Sequence, residues 1–151
     1  MATAQTLTDL IDQVIVLFNA KGMDLPDGFF DRRTQFLLNG TPFENLLGQA
    51  PSDPLVLMLA RGPAGYRFMT KALQHALIEA KVERGDLITE GDSGKVTIRI
   101  WLSGTLRGVG ETLNTVVTVT LRLGAPWRVD VAEAVMDTAD LDRLKAARLR
   151  T

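Results

Sequence analysis

The sequence predicts an α+β fold in which N-terminal helices pack into a curled antiparallel sheet supplied by the second half of the chain. Two observations predict it. Leu7, Leu10, Ile11, Val14, Ile15 and Phe18 recur at the spacing of one helix face. Beyond Leu87 the apolar period becomes that of a half-buried strand, with Val96, Ile98, Ile100 and Leu102 alternating against Thr97, Arg99, Trp101 and Ser103. The chain has 151 residues, no internal repeat and no linker-like tract, so a single domain over 1–151 is expected.

The elements follow in order. Thr6 or Thr8 is placed to cap the first helix and Gly22 to stop it. After the turn Pro26-Asp27-Gly28, the residues Phe29, Phe30, Gln35, Phe36 and Leu37 suggest a second helix ending near Gly40. Thr41-Pro42 opens a short piece from Phe43 to Leu47, and Ser52-Asp53-Pro54 resembles a cap with proline at the first helical position. The run Leu55 to Ala60 is apolar throughout, so residues 53–61 are left open between helix and strand. Gly62-Pro63-Ala64-Gly65 breaks the chain. Tyr66, Met69, Leu73, Ala76, Leu77 and Ala80 then form one helix face, predicting a helix to about Val82, ended by Arg84-Gly85-Asp86. Leu87 to Glu90 is a candidate short strand. Three longer ones follow: the alternating series above, the series Leu113, Thr115, Val117, Val119 and Leu121, and Trp127 to Val135 after the turn Gly124-Ala125-Pro126. Asp140, Leu141, Leu144 and Leu149 predict a closing helix.

Composition excludes several functions. Lys plus Arg number 17 and Asp plus Glu 18, so no basic field exists to hold nucleic acid or an anionic membrane. Cysteine is absent, which removes disulfides, thiolate metal sites and a cysteine nucleophile. With one histidine, a His-rich zinc site is excluded and a Ser-His-Asp triad cannot be specified by spacing. No run approaches the roughly 20 apolar residues of a membrane helix. The start Met1-Ala-Thr-Ala-Gln-Thr lacks the basic region of a signal peptide, and a cytoplasmic setting is the default expectation.

Three stretches carry a resemblance: the helix opening Gly62-Pro63-Ala64-Gly65-Tyr66, the strand Lys95 to Leu106, and the ending Trp127-Arg128-Val129-Asp130-Val131-Ala132-Glu133-Ala134 with Asp137 to Leu141 after it. Together with the element order, they resemble the nuclear-transport-factor-2-like superfamily. This is the cystatin-like cone shared by ketosteroid isomerases, limonene-epoxide hydrolases and polyketide cyclases. The likeness covers roughly residues 62 to 141 in detail and the N-terminal half by element order. It implies a cone-shaped α+β barrel whose open end leads to a pocket, and a homodimer formed through the outer sheet face. Tyr66, Met69, Ile100 and Val117 are then the expected ligand-binding residues on the inner side. Arg99, Trp101 and Thr118 are the expected dimer contacts, since aromatic residues and arginine are enriched at interfaces. An ordinary solvated sheet face is the plain alternative.

Candidates for catalysis are few. His75 is either an acid–base group at the pocket or an exposed residue beside Leu73 and Leu77. Asp130 and Glu133 lie on the last strand at an odd separation, so in a regular strand only one faces the cone. A carboxylate in an apolar pocket has a raised pKa and moves protons near neutral pH, the chemistry the resemblance implies. The alternative for Asp130 is pairing with Arg128, Arg99 or Arg122, while Glu133 shares parity with Val129 and Val131. Arg61, Tyr66 and Arg67 flank a helix start that attracts anions, yet Pro63 removes a donor and a plain turn explains the pattern. Phe29, Phe30, Phe36, Phe43 and Phe68 read mostly as core, with the lining of a hydrophobic pocket as the alternative, and Arg143 to Arg150 as a solvated helix face rather than a nucleic-acid contact. Two functions stay open: a dimeric module binding a small hydrophobic ligand or a protein, and a cofactor-independent isomerase, lyase or cyclase. The latter would use Glu133 or Asp130 as base and Tyr66 or His75 as donor. Neither requires a cofactor or a metal.

Overall fold

The computed structural model describes residues 4–20, 30–42, 61–89, 94–124 and 128–148. Along the chain these form α1 (Ala4–Asn19), β1 (Phe30–Leu38), β2 (Thr41–Pro42), α2 (Gly62–Ala76), β3 (Leu77–Thr89), β4 (Lys95–Leu106), β5 (Thr112–Gly124), β6 (Arg128–Val135) and α3 (Thr138–Arg148). The strands make one curled, unclosed sheet in the order β2-β1-β6-β5-β4-β3. Its pairs are antiparallel except β1 with β6, which run parallel, so the sheet is mixed. None of the described helices is long and apolar enough to cross a membrane.

The first helix forms where its periodicity places it, but it starts at Ala4, so Thr6 and Thr8 lie within it rather than capping it. Ile11 and Phe18 are buried, while Leu10, Val14 and Ile15 pack half-buried against the sheet. Polar groups fix its far end to β3, an edge strand. The Asn19 amide donates to the Val82 carbonyl at 2.9 Å and accepts from the Val82 N–H at 2.8 Å, occupying edge groups that would otherwise face solvent. Arg84 Nε also donates to Asp12 at 2.6 Å, but both side chains are part-exposed, which limits such a pair to about 1 kcal/mol or less.

Two predicted helices are corrected. Phe30–Leu38 is a strand. Phe36 and the buried Thr34 point to the core, while Gln35 and Leu37 pair with Val131 and Glu133 on the opposite face. Between Phe30 and Gln35 the register with β6 shifts, and the Thr34 hydroxyl donates to the Val129 carbonyl where the regular ladder is interrupted. The strand ends in a two-residue hairpin at Asn39-Gly40, both with positive φ (49° and 83°), the backbone that Asn-Gly adopts at least cost. The Asn39 side chain then bridges to the end of β6: it donates to the Met136 carbonyl at 3.0 Å and accepts from the Met136 N–H at 2.8 Å.

The second correction concerns α2, which ends at Ala76 rather than near Val82. The chain passes directly into β3, a strand of 13 residues rather than the short Leu87–Glu90 piece. Leu77 is already extended (φ −116°, ψ 112°). Register shifts between Ile78 and Lys81 and between Arg84 and Leu87 insert extra residues, with Glu79 at φ 57°. These bulges bring Leu77 and Ala80 to the same inner side, a spacing that imitates a helix. Arg107 closes the end of α2, donating its N–H to the Ala76 carbonyl at 2.9 Å and its Nε to the His75 carbonyl at 2.6 Å.

The remaining elements agree with the reading. β4 and β5 pair from Lys95–Arg122 to Thr105–Thr112 without a shift. β6 begins at Arg128, and α3 is capped by Asp137, whose carboxylate accepts from the Asp140 N–H at 3.1 Å. Leu141, Leu144 and Ala147 bury one face of α3. The expectations for Gly22, for Phe43 to Leu47, for the Ser52-Asp53-Pro54 cap and for the helix-or-strand question over 53–61 lie outside the described residues.

Asn39 provides a stability test. Asn39→Gly removes the amide bridge but keeps a backbone that accepts positive φ, at an expected cost of about 1–2 kcal/mol. Asn39→Ala adds left-handed strain of roughly 1 kcal/mol more. Urea unfolding of the two variants checks the order, and equal losses would remove the backbone part of the account.

Candidate functional site

The sheet has an inner face against the helices and an outer face away from them. Val96, Ile98 and Leu102 of β4 and Leu113, Thr115 and Leu121 of β5 are buried on the inner side. Thr97, Arg99, Trp101 and Ser103 stand opposite Thr120, Thr118, Val116 and Asn114 on the outer side.

On the inner side Tyr66 is buried in a cluster with Ile11, Phe36, Ile98, Leu121 and Val129. It projects from the start of α2, where Gly62 takes φ 64° and Pro63 sits in the first turn. Burial raises the phenol pKa above its ordinary value, partly offset by a hydrogen bond from Thr70 one turn later. The ring therefore stays a neutral hydrogen-bond donor. Met69 and Ile100 pack half-buried against the same cluster. Ile100 pairs with Val117, which borders a second cluster formed by Leu77, Leu102, Leu113 and α3 residues. The four expected ligand-binding residues thus lie on the inner side, three at one cluster and Val117 at its boundary.

The acid–base candidates are dispersed. His75 is exposed in the last turn of α2, most of a helix length from Tyr66. Glu133 pairs with Thr120 and with Leu37, which places it half-buried on the outer face. Asp130 is the extra residue where the β5–β6 register shifts, and it is exposed. That bulge breaks the parity linking Glu133 to Val129: Val129 is fully buried, whereas Val131 and Glu133 are partly exposed on the other face. Neither carboxylate is brought to Tyr66. Among the described residues no group of His, Asp and Glu side chains is arranged to hold a metal.

The outer face carries the other candidates. Arg99 is exposed opposite Thr118, and Trp101 is 45% exposed opposite Val116 at 40%. The indole lies over Gly85 of β3, where a Cβ would come within 2.3 Å of the ring. A bulge glycine thus provides the flat seat for Trp101, a role hidden in the sequence, where Arg84-Gly85-Asp86 has the form of a helix stop. Val135 at 46% and Ile88 at 58% also stand on this face, whereas Val16, Phe68 and Val109 are spread over α1, α2 and the β4–β5 turn. An open depression on α1, lined by Asp9, Asp12, Gln13, Val16 and Leu17, lies away from both groups.

Comparison with solved structures matches this arrangement. The chain superposes on an NTF2-like protein of unknown function from Exiguobacterium sp. 255-15 with a TM-score of 0.60 and 16% identity, covering 85% of this chain and 98% of that one. The fold is NTF2-like. A SnoaL-like polyketide cyclase from Agrobacterium tumefaciens str. C58 shares this NTF2-like fold (TM-score 0.64, 17% identity, 95% and 98% covered). So does TsrD from Streptomyces laurentii (TM-score 0.69, 15% identity, 97% and 99% covered). No family model and no curated protein matches the sequence. At these identities the likeness is one of fold.

Tyr66 is the single tyrosine, so phenolate absorbance reports it alone. Its folded pKa stands above the unfolded one, so the folded chain keeps a proton that the unfolded chain has lost. Stability should fall as pH rises above the ordinary 10.0, and Tyr66→Phe should flatten that loss. Ionisation of the native phenol at or below 10.0 would contradict the burial argument.

Proposed function

We propose that this chain is a dimeric NTF2-like module that holds a small hydrophobic ligand between α2 and the inner sheet face. The observation that carries the reading is the incomplete burial of apolar side chains on that inner side. Met69, Ile100, Val117 and Val119 face the helices yet remain half-buried. Apolar walls with a few placed polar groups are the usual form of a small-molecule site. Tyr66, neutral and hydrogen-bonded to Thr70, supplies one such group beside Met69.

The dimer is the second part of the proposal. Trp101, Val116 and Val135 give the outer face an exposed apolar strip, with Arg99 and Thr118 beside it, and clustered exposure of this kind marks interaction surfaces. A cytoplasmic setting belongs to the same proposal.

A catalytic reading as a cofactor-independent isomerase, lyase or cyclase is favoured by the neutral Tyr66 donor and by the fold shared with a SnoaL-like polyketide cyclase. It ranks second because Glu133 and Asp130, the two candidate bases, lie outside the inner face that holds Tyr66.

Titration with the apolar dye anilinonaphthalene sulfonate tests the ligand site. Saturable binding at one dye per chain is expected, weakened about tenfold or more by Ile100→Asp and unchanged by Trp101→Glu, with cooperative melting confirming that each variant is folded. Absence of saturable binding, or indifference to Ile100→Asp, would sink the pocket. Light scattering tests the dimer. Wild type is expected at twice the chain mass at micromolar concentration, with Trp101→Glu weakening association by about 2 kcal/mol, roughly thirty-fold. A monomeric wild type overturns it.

A further inference from the structure

On the outer face Arg99 and Glu133 do not meet each other within one chain, while Glu83 of β3 stands opposite Trp101, one diagonal step from Arg99. Arg99 stands on β4 opposite Thr118, and Glu133 stands on β6 opposite Thr120. The whole width of β5 separates them, about 9–10 Å between the outer strands. Neither side chain makes a hydrogen bond or ion pair among the described residues. Their nearest cross-strand neighbours on β5 are hydroxyls that carry no charge. Both flank the apolar strip of Trp101, Val116 and Val135.

The symmetry of a face-to-face pair decides what these charges meet. A two-fold axis running along β5 lays β4 of one copy over β6 of the other, and the reverse contact follows automatically. Arg99 is level with Val135 across the sheet and Glu133 is level with Thr97, so the two lie one register step apart in that stacking, within reach of an arginine side chain. The same operation sets Trp101 and Val116 near Val135 of the second copy. An axis across the strands instead lays β4 on β4 and β6 on β6, bringing like charges together. Arg122 lies on the axis strand itself and meets its own copy, but it is exposed and beyond Thr120 towards the end of the pairing, where two guanidinium groups turn apart into solvent.

We propose that the second copy is seated by a reciprocal Arg99–Glu133 exchange across a two-fold along β5. This rests on the dimer reading above and adds its orientation and register. The exchange makes association depend on salt and rejects alternative stackings of the same apolar strip.

Charge reversal tests it. Arg99→Glu and Glu133→Arg each set two like-charge contacts across the two-fold, so each homodimer is expected to be at least tenfold weaker by sedimentation equilibrium. Mixing the two variants restores both contacts with opposite sign, and a heterodimer within about threefold of wild-type affinity is expected. The double variant Arg99→Glu/Glu133→Arg should dimerise equally well. Single reversals that associate like wild type overturn the exchange while leaving the dimer standing. Weakened singles with no recovery on mixing overturn it as well, since the charges would then oppose something other than each other. A monomeric wild type defeats both the exchange and the dimer. Circular dichroism melting of each variant separates loss of association from loss of fold.

Discussion

The arrangement depends on the passage from α2 into β3. No loop separates them, and the residues at the join, Ala76 and Leu77, are almost completely buried. The strand then bulges at Glu79 and crosses Gly104 of β4, where a Cβ would lie 3.0 Å from Leu77 Cβ and 3.2 Å from the Ile78 carbonyl oxygen. A side chain at this position would need its neighbours to give by a few tenths of an ångström, so glycine is the residue that fits without a shift. Arg107, just past the end of β4, closes the last turn of the helix through the Ala76 and His75 carbonyls. Helix, bulge and hairpin are thereby locked together. A slip of one residue would turn the inward set of β3 to the other side. The position of Tyr66 over Ile98 and Val129 follows from that lock, because α2 has one end fixed at the sheet.

Two faces of one sheet then divide the chemistry. The inner face is apolar and receives α1 and α2, with a single neutral phenol among its buried groups. The outer face holds Trp101 on its glycine seat, with Arg99 and Glu133 to either side of β5. The candidate carboxylates emerge on the outer face, while the phenol on the inner face keeps its proton. This separation of acid from donor is why the proposed function is binding rather than proton transfer.

The legible elements are those whose periodicity is unbroken. β4 and β5 pair along their whole length without a shift, and the inward and outward sets read from the sequence match the observed ones. α1 and α3 present regular apolar faces to the core. The misread elements are the bulged ones. Extra residues in β3 place Leu77 and Ala80 on one side, which imitates a helix turn and extended the predicted helix past Ala76. The irregular start of β1 masks its alternation, although Asn39-Gly40 is the dipeptide of a two-residue hairpin. At the candidate site the same distinction holds. The sides of Arg99, Trp101, Ile100 and Val117 were readable on bulge-free strands. That of Glu133 was not, because one inserted residue at Asp130 reverses the parity before it.

By itself the sequence determined the α+β class, the first and last helices, and the two faces of the central strand pair, since each is local periodicity expressed in side chains. Tertiary structure alone decided the parallel pairing of β1 with β6, the direct join of α2 to β3, and the face on which each carboxylate emerges. A bulge is an agreement between two strands about which residue to leave unpaired, and the partner strand that settles it lies far away in the chain.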